Sequence, residues 1–170
     1  MEILLYPNDK LRQETKAVEE VTPELIAIAK EMYTTMKAAN GVGLSAPQVG
    51  LDIRLIVLDD KGSPLYMFNP KVLMESKDKQ SGSEACLSFP NVTKRIPRAY
   101  EVTVKFRDLN NKRQFMKVTG ILARAVLHEI DHLNGVLIVD YMKKLDRMLI
   151  LSKWQKRMKQ LQRRTWDNRS

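Results

Sequence analysis

The segment His128-Glu129-Ile130-Asp131-His132 constrains this chain more than any other. On a helix, residues four apart lie one above the other on the same face, so His128 and His132 can grip one metal ion, with Glu129 beside them to move a proton. A catalytic site of this kind takes three protein ligands and leaves one position open. The chain has only two histidines, both in this segment, so the third ligand is Cys86 or a carboxylate. The extended three-histidine pattern needs a histidine at 138, where the chain has Ile138, and no glutamate follows Glu129. The late carboxylates are Asp131, Asp140, Asp146 and Asp167. Cys86 is the economical choice and gives a site of two histidines and one thiolate. A free cysteine more often packs as a small hydrophobe; beside the two-histidine helix, the ligand reading prevails.

With 170 residues, 44% of them hydrophobic and 29% charged, the chain suits one globular domain with a sizeable core. No apolar run reaches the roughly 18 residues of a membrane span. The N-terminus resembles neither a secretory signal nor an Arg-rich transit peptide. A lone cysteine cannot close an internal disulfide, which agrees with a reducing compartment. The expected protein is therefore cytoplasmic, with a processed organellar form as the alternative, monomeric and without a membrane partner. Of the net charge of +9, a balance of +8 falls in residues 141–170, which hold ten Lys/Arg and two acids. We divide the chain into a nearly neutral catalytic portion, 1–142, and a basic C-terminal extension of the same domain, 143–170.

Thr22-Pro23 supplies a cap and first-turn proline for a helix carrying Leu25, Ile28, Ala29, Met32 and Met36 at helical spacing, ending at Asn40-Gly41. Residues 41–50 (GVGLSAPQVG) are too rich in Gly and Pro for regular structure. Residues 54–59 read as a buried strand, 65–68 as a second, and 77–84 as a polar loop. Val102, Val104 and Phe106 alternate along a strand over 100–107; a turn at 108–112 returns it through 114–118. The histidine helix spans about 121–133 and stops at Asn134-Gly135. An apolar segment at 136–139 leads to a long helix over 143–164, with Leu145, Met148, Leu149, Ser152, Met158 and Leu161 along its apolar stripe. The expected fold class is α+β: mixed or antiparallel strands around a central helix carrying the histidines, an N-terminal helix, and a long basic C-terminal helix.

Three segments in order, GVGLSAPQ (41–48), EACLS (84–88) and HEIDH (128–132), resemble the three motifs of the peptide deformylases. Those enzymes remove the N-formyl group from the initiator methionine of new bacterial and organellar proteins. The resemblance runs from YPNDKLR (6–12) through HLNGVLIVDY (132–141), nearly everything except the basic tail. It implies one divalent metal ion, Fe2+ with Zn2+, Ni2+ or Co2+ as substitutes, held by Cys86, His128 and His132. It also implies Glu129 as general acid/base, and the Gln48 side-chain amide and Leu87 backbone N–H as donors to the developing oxyanion. The substrate is an N-formylmethionyl nascent peptide, laid as an added strand beside Gly43 and Ala85. Its methionine enters an apolar pocket of Val42, Ile121, Ala125 and the His128 ring, with Arg124 near the rim; Arg124 reads equally as a solvated helix residue.

Further expectations follow from the same resemblance. Glu84 pairs with Arg98 and steadies the loop that presents Cys86 and Leu87. On general grounds, apart from the resemblance, Asp131 is expected to hold the second nitrogen of a ligand histidine, as ligand histidines usually need, with an ordinary surface position on the helix as the alternative. Gly41 and Gly43 read as turn glycines as well. Two positions depart from the family: Ser45 stands where Ala is usual, and Ala85 where Gly is usual. We expect the first to be tolerated and the second to crowd the cleft. The basic tail matches either a solvated helix or a dock on the ribosome, where the substrate is made. Two rival readings are weaker. A metalloprotease lacks its third ligand, and an RNA-binding module leaves the metal-bearing portion without a purpose.

Overall fold

In the computed structural model, residues 1–167 are described, with the side chains of Lys159 and of 161–167 excepted. The fold is α+β. Helix α1 (Pro23–Ala38) precedes strands β1 (Gly43–Ser45), β2 (Leu55–Asp60), β3 (Ser63–Glu75), β4 (Lys79–Cys86), β5 (Phe89–Ala99), β6 (Glu101–Arg107) and β7 (Arg113–Thr119). Helices α2 (Gly120–Leu133) and α3 (Lys144–Asp167) complete it. The strands form an antiparallel five-stranded sheet in the order β1-β2-β3-β6-β7 and a separate hairpin, β4–β5.

The large sheet is covered on both faces. Ile56 and Leu58 of β2 pack with Val102, Val104 and Val118 against Val126, Ile130 and Leu133 of α2. Leu55 and Val57 point the other way, to Met32 and Met36 of α1. Successive side chains of a strand point to opposite faces, so a strand with two apolar faces reads as an unbroken hydrophobic run. The β6–β7 hairpin follows the expected alternation, turning at Asn111 with φ 58°.

Helix boundaries follow their capping residues. Thr22 Oγ1 accepts from Leu25 N at the start of α1. Asn40, not Gly41, takes the left-handed conformation after it (φ 55°). Gly135 (φ 71°) and the bond from Val136 N to Asp131 O close α2 in a left-handed cap.

Three local expectations are corrected. Residues 77–84 are no loop, because β4 runs through them and pairs with β5, itself unread in the sequence. The inward positions of β4 are Gln80, Gly82, Glu84 and Cys86, so the period of two is polar and carries no hydrophobic signal. Within 41–50, a three-residue strand and a 3-10 turn (Ala46–Val49) form despite the Gly and Pro content.

The third correction concerns α3. Leu145, Met148 and Leu149 are 68, 60 and 56% exposed, and Ser152 is also exposed. Of the expected stripe Met158 does pack, but beside Ile150, Leu151 and Trp154, which the stripe did not include; Leu161 lies outside the residues whose side chains are described. Trp154, only 4% exposed, anchors that face. Its ring meets Phe89 at 5.3 Å, and Nε1 donates to Tyr6 O at 2.9 Å. Tyr6 stacks on Phe89 at 4.5 Å. The basic helix is thereby anchored beside the turn that follows Cys86.

Candidate metal centre and its cavity

Two elements meet at the site: α2 brings the histidines, and the tip of the β4–β5 hairpin brings the cysteine. Cys86 ends β4 opposite Phe89, leaving Leu87 and Ser88 as the turn between them. One ligand atom from each of Cys86, His128 and His132 lies within 4.8 Å of the others, and all three residues are buried. Cys86 Sγ stands 3.2 Å from His132 Nε2, and the two imidazoles meet edge to face at 5.0 Å. His128 Nδ1 is bonded to Glu84 Oε2 at 2.9 Å, which turns its Nε2 inward. Among the described residues His132 Nδ1 has no hydrogen-bond partner. A thiolate and two imidazoles converging in a buried pocket fit a divalent transition ion of borderline softness.

Burial would depress His128, but its bonds with Cys86 and Glu84 hold its ring well above the ordinary value. His132 is held well below it by burial and by the charge of His128. Burial pushes the Glu129 carboxyl up to about 7, with Glu84 and Asp131 adding to the rise. Gly43 makes room for that carboxyl: a Cβ there would lie 2.5 Å from Glu129 Oε1. Gly43 thus lies in strand β1 rather than a turn, while Gly41 does close the turn after α1, its N–H donating to Met36 O at 2.9 Å. Neither has a positive φ, and a Cβ on Gly41 would meet Leu87 Cδ1 at 2.8 Å.

Glu84 is the hub behind the ligands. Its carboxylate accepts from Arg98 Nε and Nη2 (2.8 and 3.0 Å) and from Arg124 Nη1 (2.8 Å), besides contacting His128. Burial would raise its pKa, yet His128 and Arg98 draw it down to about 2. Arg98 continues the chain to Asp131 Oδ2 at 2.8 Å and to the Tyr141 hydroxyl at 3.0 Å; that hydroxyl donates to Asp131. Asp131 therefore does not hold a ligand histidine. Its carboxylate meets Arg98 and Tyr141 instead, and Glu84 from the hairpin takes His128.

Arg124 also differs from its expected place. It borders the cavity, but its side chain is only 11% exposed and is neither solvated nor free at a rim. Its guanidinium donates to Gln80 O, Gly82 O, Ile96 O and Glu84, clamping the hairpin to α2. A Cβ on Gly82 would meet that guanidinium at 3.1 Å, a tight contact that the guanidinium would have to relieve by a shift of a few tenths of an ångström.

A cavity of about 590 Å3 opens over the cluster. Val42, Gly43, Gln48, Ala85, Leu87, Ile121, Ala125, His128 and Glu129 all line it, bringing together the residues expected to meet substrate. Val42 (49% exposed) and Ile121 (76%) stand at its open side. The edge strands β1 and β4 both border it. Gln48, in the 3-10 turn after β1, directs Nε2 toward Ser88 Oγ (3.2 Å) and Cys86 Sγ (3.6 Å). Sequence reasoning missed Ser88, Gln80, Tyr141 and Trp154, because each is an ordinary residue whose role exists only through a distant partner.

The polypeptide deformylase family model matches residues 1–148. Peptide deformylase of Pelagibacter ubique is 41% identical over 159 residues, covering 91% of this chain and 92% of that one. Peptide deformylase of Afipia carboxidovorans is 38% identical over 163 residues, covering 93 and 95%. The crystal structure of peptide deformylase from Ehrlichia chaffeensis superposes with a TM-score of 0.89 at 33% identity, covering 94% of this chain and 97% of that one. A peptide deformylase from Synechococcus elongatus in complex with actinonin gives 0.85 at 37% identity, covering 90 and 86%. Identity sustained over nearly the whole length, with the cysteine and both histidines converged in one buried cluster, makes this chain a member of the polypeptide deformylase family and an enzyme of that kind.

Proposed function

We propose that this enzyme hydrolyses the formamide C–N bond of N-formylmethionyl peptides, releasing formate and a free amine, in the cytoplasm and as a monomer. The convergence of Cys86, His128 and His132 beneath a cavity bordered by two edge strands carries this reading. Cys86, His128 and His132 would hold one divalent ion, which supplies Lewis acidity, acidifying water and polarising a carbonyl. Glu129 takes a proton from the attacking water and hands it to the departing amine as the C–N bond breaks. A carboxyl pushed up to about 7 exchanges protons readily in both directions near neutral pH. Gln48 Nε2 and Leu87 N–H donate to the oxygen that gains charge as the formyl carbon becomes tetrahedral; such a donor is typically worth about 3 kcal/mol in the barrier. The backbones at Gly43 and Ala85 pair with the peptide as an added strand, tolerant of side-chain identity. Val42, Ile121, Ala125 and the His128 ring receive the methionine. Glu84, Arg98, Asp131 and Arg124 hold the frame behind them.

Hydrolysis of formyl-Met-Ala-Ser, followed by formate release, tests the reading. Activity abolished in Cys86→Ala and Glu129→Ala supports it; turnover by either variant at the parent rate overturns it. We assign Fe2+ as the physiological ion on the family's behaviour. Inactivation in air, reversed by Ni2+ or Co2+, supports that assignment, and full activity with one equivalent of Zn2+ refutes it.

We further propose that α3 is an extension of the catalytic domain whose basic side docks on the ribosome. Lys153, Lys156 and Arg157 are exposed on it. Truncation near residue 150 would remove Trp154 along with the charge, so charge reversal is the cleaner test. Lys156→Glu with Arg157→Glu should weaken salt-dependent co-sedimentation with ribosomes while sparing hydrolysis of the small peptide. Unchanged co-sedimentation argues for a solvated helix.

A further inference from the structure

The serine that replaces the family's usual alanine in the first motif lies beneath the proposed oxyanion donor. Ser45 is fully buried, and both of its donors aim at one atom: Ser45 N and Ser45 Oγ each lie 2.9 Å from Gln48 Oε1. The backbone bond is one arm of a capping box, in which the side chain three residues on reaches back to the cap N–H. The hydroxyl adds a second bond to the same oxygen. The two acceptor positions of that carbonyl are thereby filled, and the amide nitrogen is turned to the opposite side, toward Ser88 Oγ at 3.2 Å and Cys86 Sγ at 3.6 Å. Ser88 cannot choose the amide orientation, since a hydroxyl donates or accepts. Ser45 N–H can only donate, so it sets the orientation; the Ser45 hydroxyl, itself able to donate or accept, adds a second bond to the amide held in that orientation.

We infer that the Ser45 hydroxyl is a positioning group for catalysis: by donating to Gln48 Oε1 it locks the amide with Nε2 facing the cavity and strengthens Nε2–H as a donor. The inference rests on the proposed role of Gln48. An amide swung off Ser45 loses two bonds rather than one, whereas a flip in place costs the bond from Ser45 N–H. A carbonyl that accepts two hydrogen bonds polarises its amide, which makes the N–H a better donor in a chain of bonds. The effect belongs in the transition state, where the oxygen facing Nε2 carries most charge, and therefore in kcat rather than KM. The hydroxyl also faces the Glu129 carboxyl, so an action through Glu129 is the competing account.

Ser45→Ala restores the family's usual residue and should fold. Alone and combined with Gln48→Ala, it is assayed as the nickel-loaded enzyme on formyl-Met-Ala-Ser. Gln48→Ala should lower kcat about 100-fold or more. Ser45→Ala should lower kcat about three- to tenfold, the size expected of one neutral hydrogen bond, with KM within about twofold. The double variant should be no slower than Gln48→Ala alone. In the zinc-loaded protein, 15N NMR should show the Gln48 side-chain amide protons exchanging with water faster in Ser45→Ala. An unchanged kcat in Ser45→Ala, or a Ser45→Ala loss that persists undiminished in the Gln48→Ala background, overturns the inference while leaving Gln48's role intact. A Gln48→Ala enzyme of parent activity overturns that role and the inference with it.

Discussion

Glu84 Oε2 lies 2.9 Å from His128 Nδ1, and the two residues sit on different elements, the β4–β5 hairpin and helix α2. The contact orients the imidazole and ties the strand that ends in Cys86 to the helix that bears both histidines. Supporting partners of ligand histidines typically contribute 10–100-fold in metal affinity. Glu84→Gln should therefore weaken metal binding by about that factor, measured by competition with a chelator. An affinity equal to the parent's would show that the imidazole is held by packing alone.

The same carboxylate gives acid sensitivity a defined direction. Its pKa falls from the ordinary 4.5 to about 2 on folding, so between those values the unfolded chain binds the extra proton and stability declines as pH drops. Urea midpoints should fall more steeply over that window for the parent protein than for Glu84→Gln, which has no carboxyl to protonate. Parallel slopes would remove Glu84 from the account of acid unfolding.

Gly43 and Glu129 are linked by space rather than by a bond. The 2.5 Å separation between a hypothetical Cβ at Gly43 and Glu129 Oε1 means that Gly43→Ala must displace the carboxyl. Displacement of a catalytic group by about 1 Å costs on the order of 100-fold in rate. We expect kcat to fall by that order while metal content by elemental analysis stays at the parent level. Retained kcat would mean that the carboxyl has a second productive position.

Trp154 should matter to stability out of proportion to its place in a basic tail. It is 4% exposed and packs on Phe89, three residues beyond Cys86. Trp154→Ala should cost about 3–5 kcal/mol in urea unfolding, the range for deleting a buried large aromatic side chain. Trp154→Phe retains much of the packing but loses the bond to Tyr6 O, and should cost about 1 kcal/mol of hydrogen bonding besides a small packing loss. A loss below about 1 kcal/mol for the alanine variant would mean that α3 does not brace the hairpin.

Much of the site could be read from the chain because its key relationships are local or compositional. His128 and His132 share a face through helix geometry alone, and with two histidines and one cysteine in the chain the ligand choice was narrow. The capping signals at Thr22 and Gly135 act within a few residues and were legible for the same reason. Strand β4 was illegible because its inward positions carry little apolar signal and find their partners far along the chain: Glu84 with Arg98 and Arg124, Gln80 with Ala99 O and Gly120 O, and Cys86 with His132. The packed face of α3 was misread because Leu145, Met148 and Leu149 offer an equally regular stripe; Trp154 outweighs them only once Phe89 and Tyr6 stand opposite.

The sequence by itself determined the donor set, the helix that presents two of its three members, and the α+β arrangement, since short-range geometry and hydrophobic periodicity suffice for these. Only the tertiary structure decided which carboxylate holds His128, where Arg124 and Asp131 point, and how closely the Glu129 carboxyl approaches Gly43. Those outcomes depend on which side chains meet when the hairpin closes over α2, and a buried charge takes whichever partner that packing brings within hydrogen-bond reach.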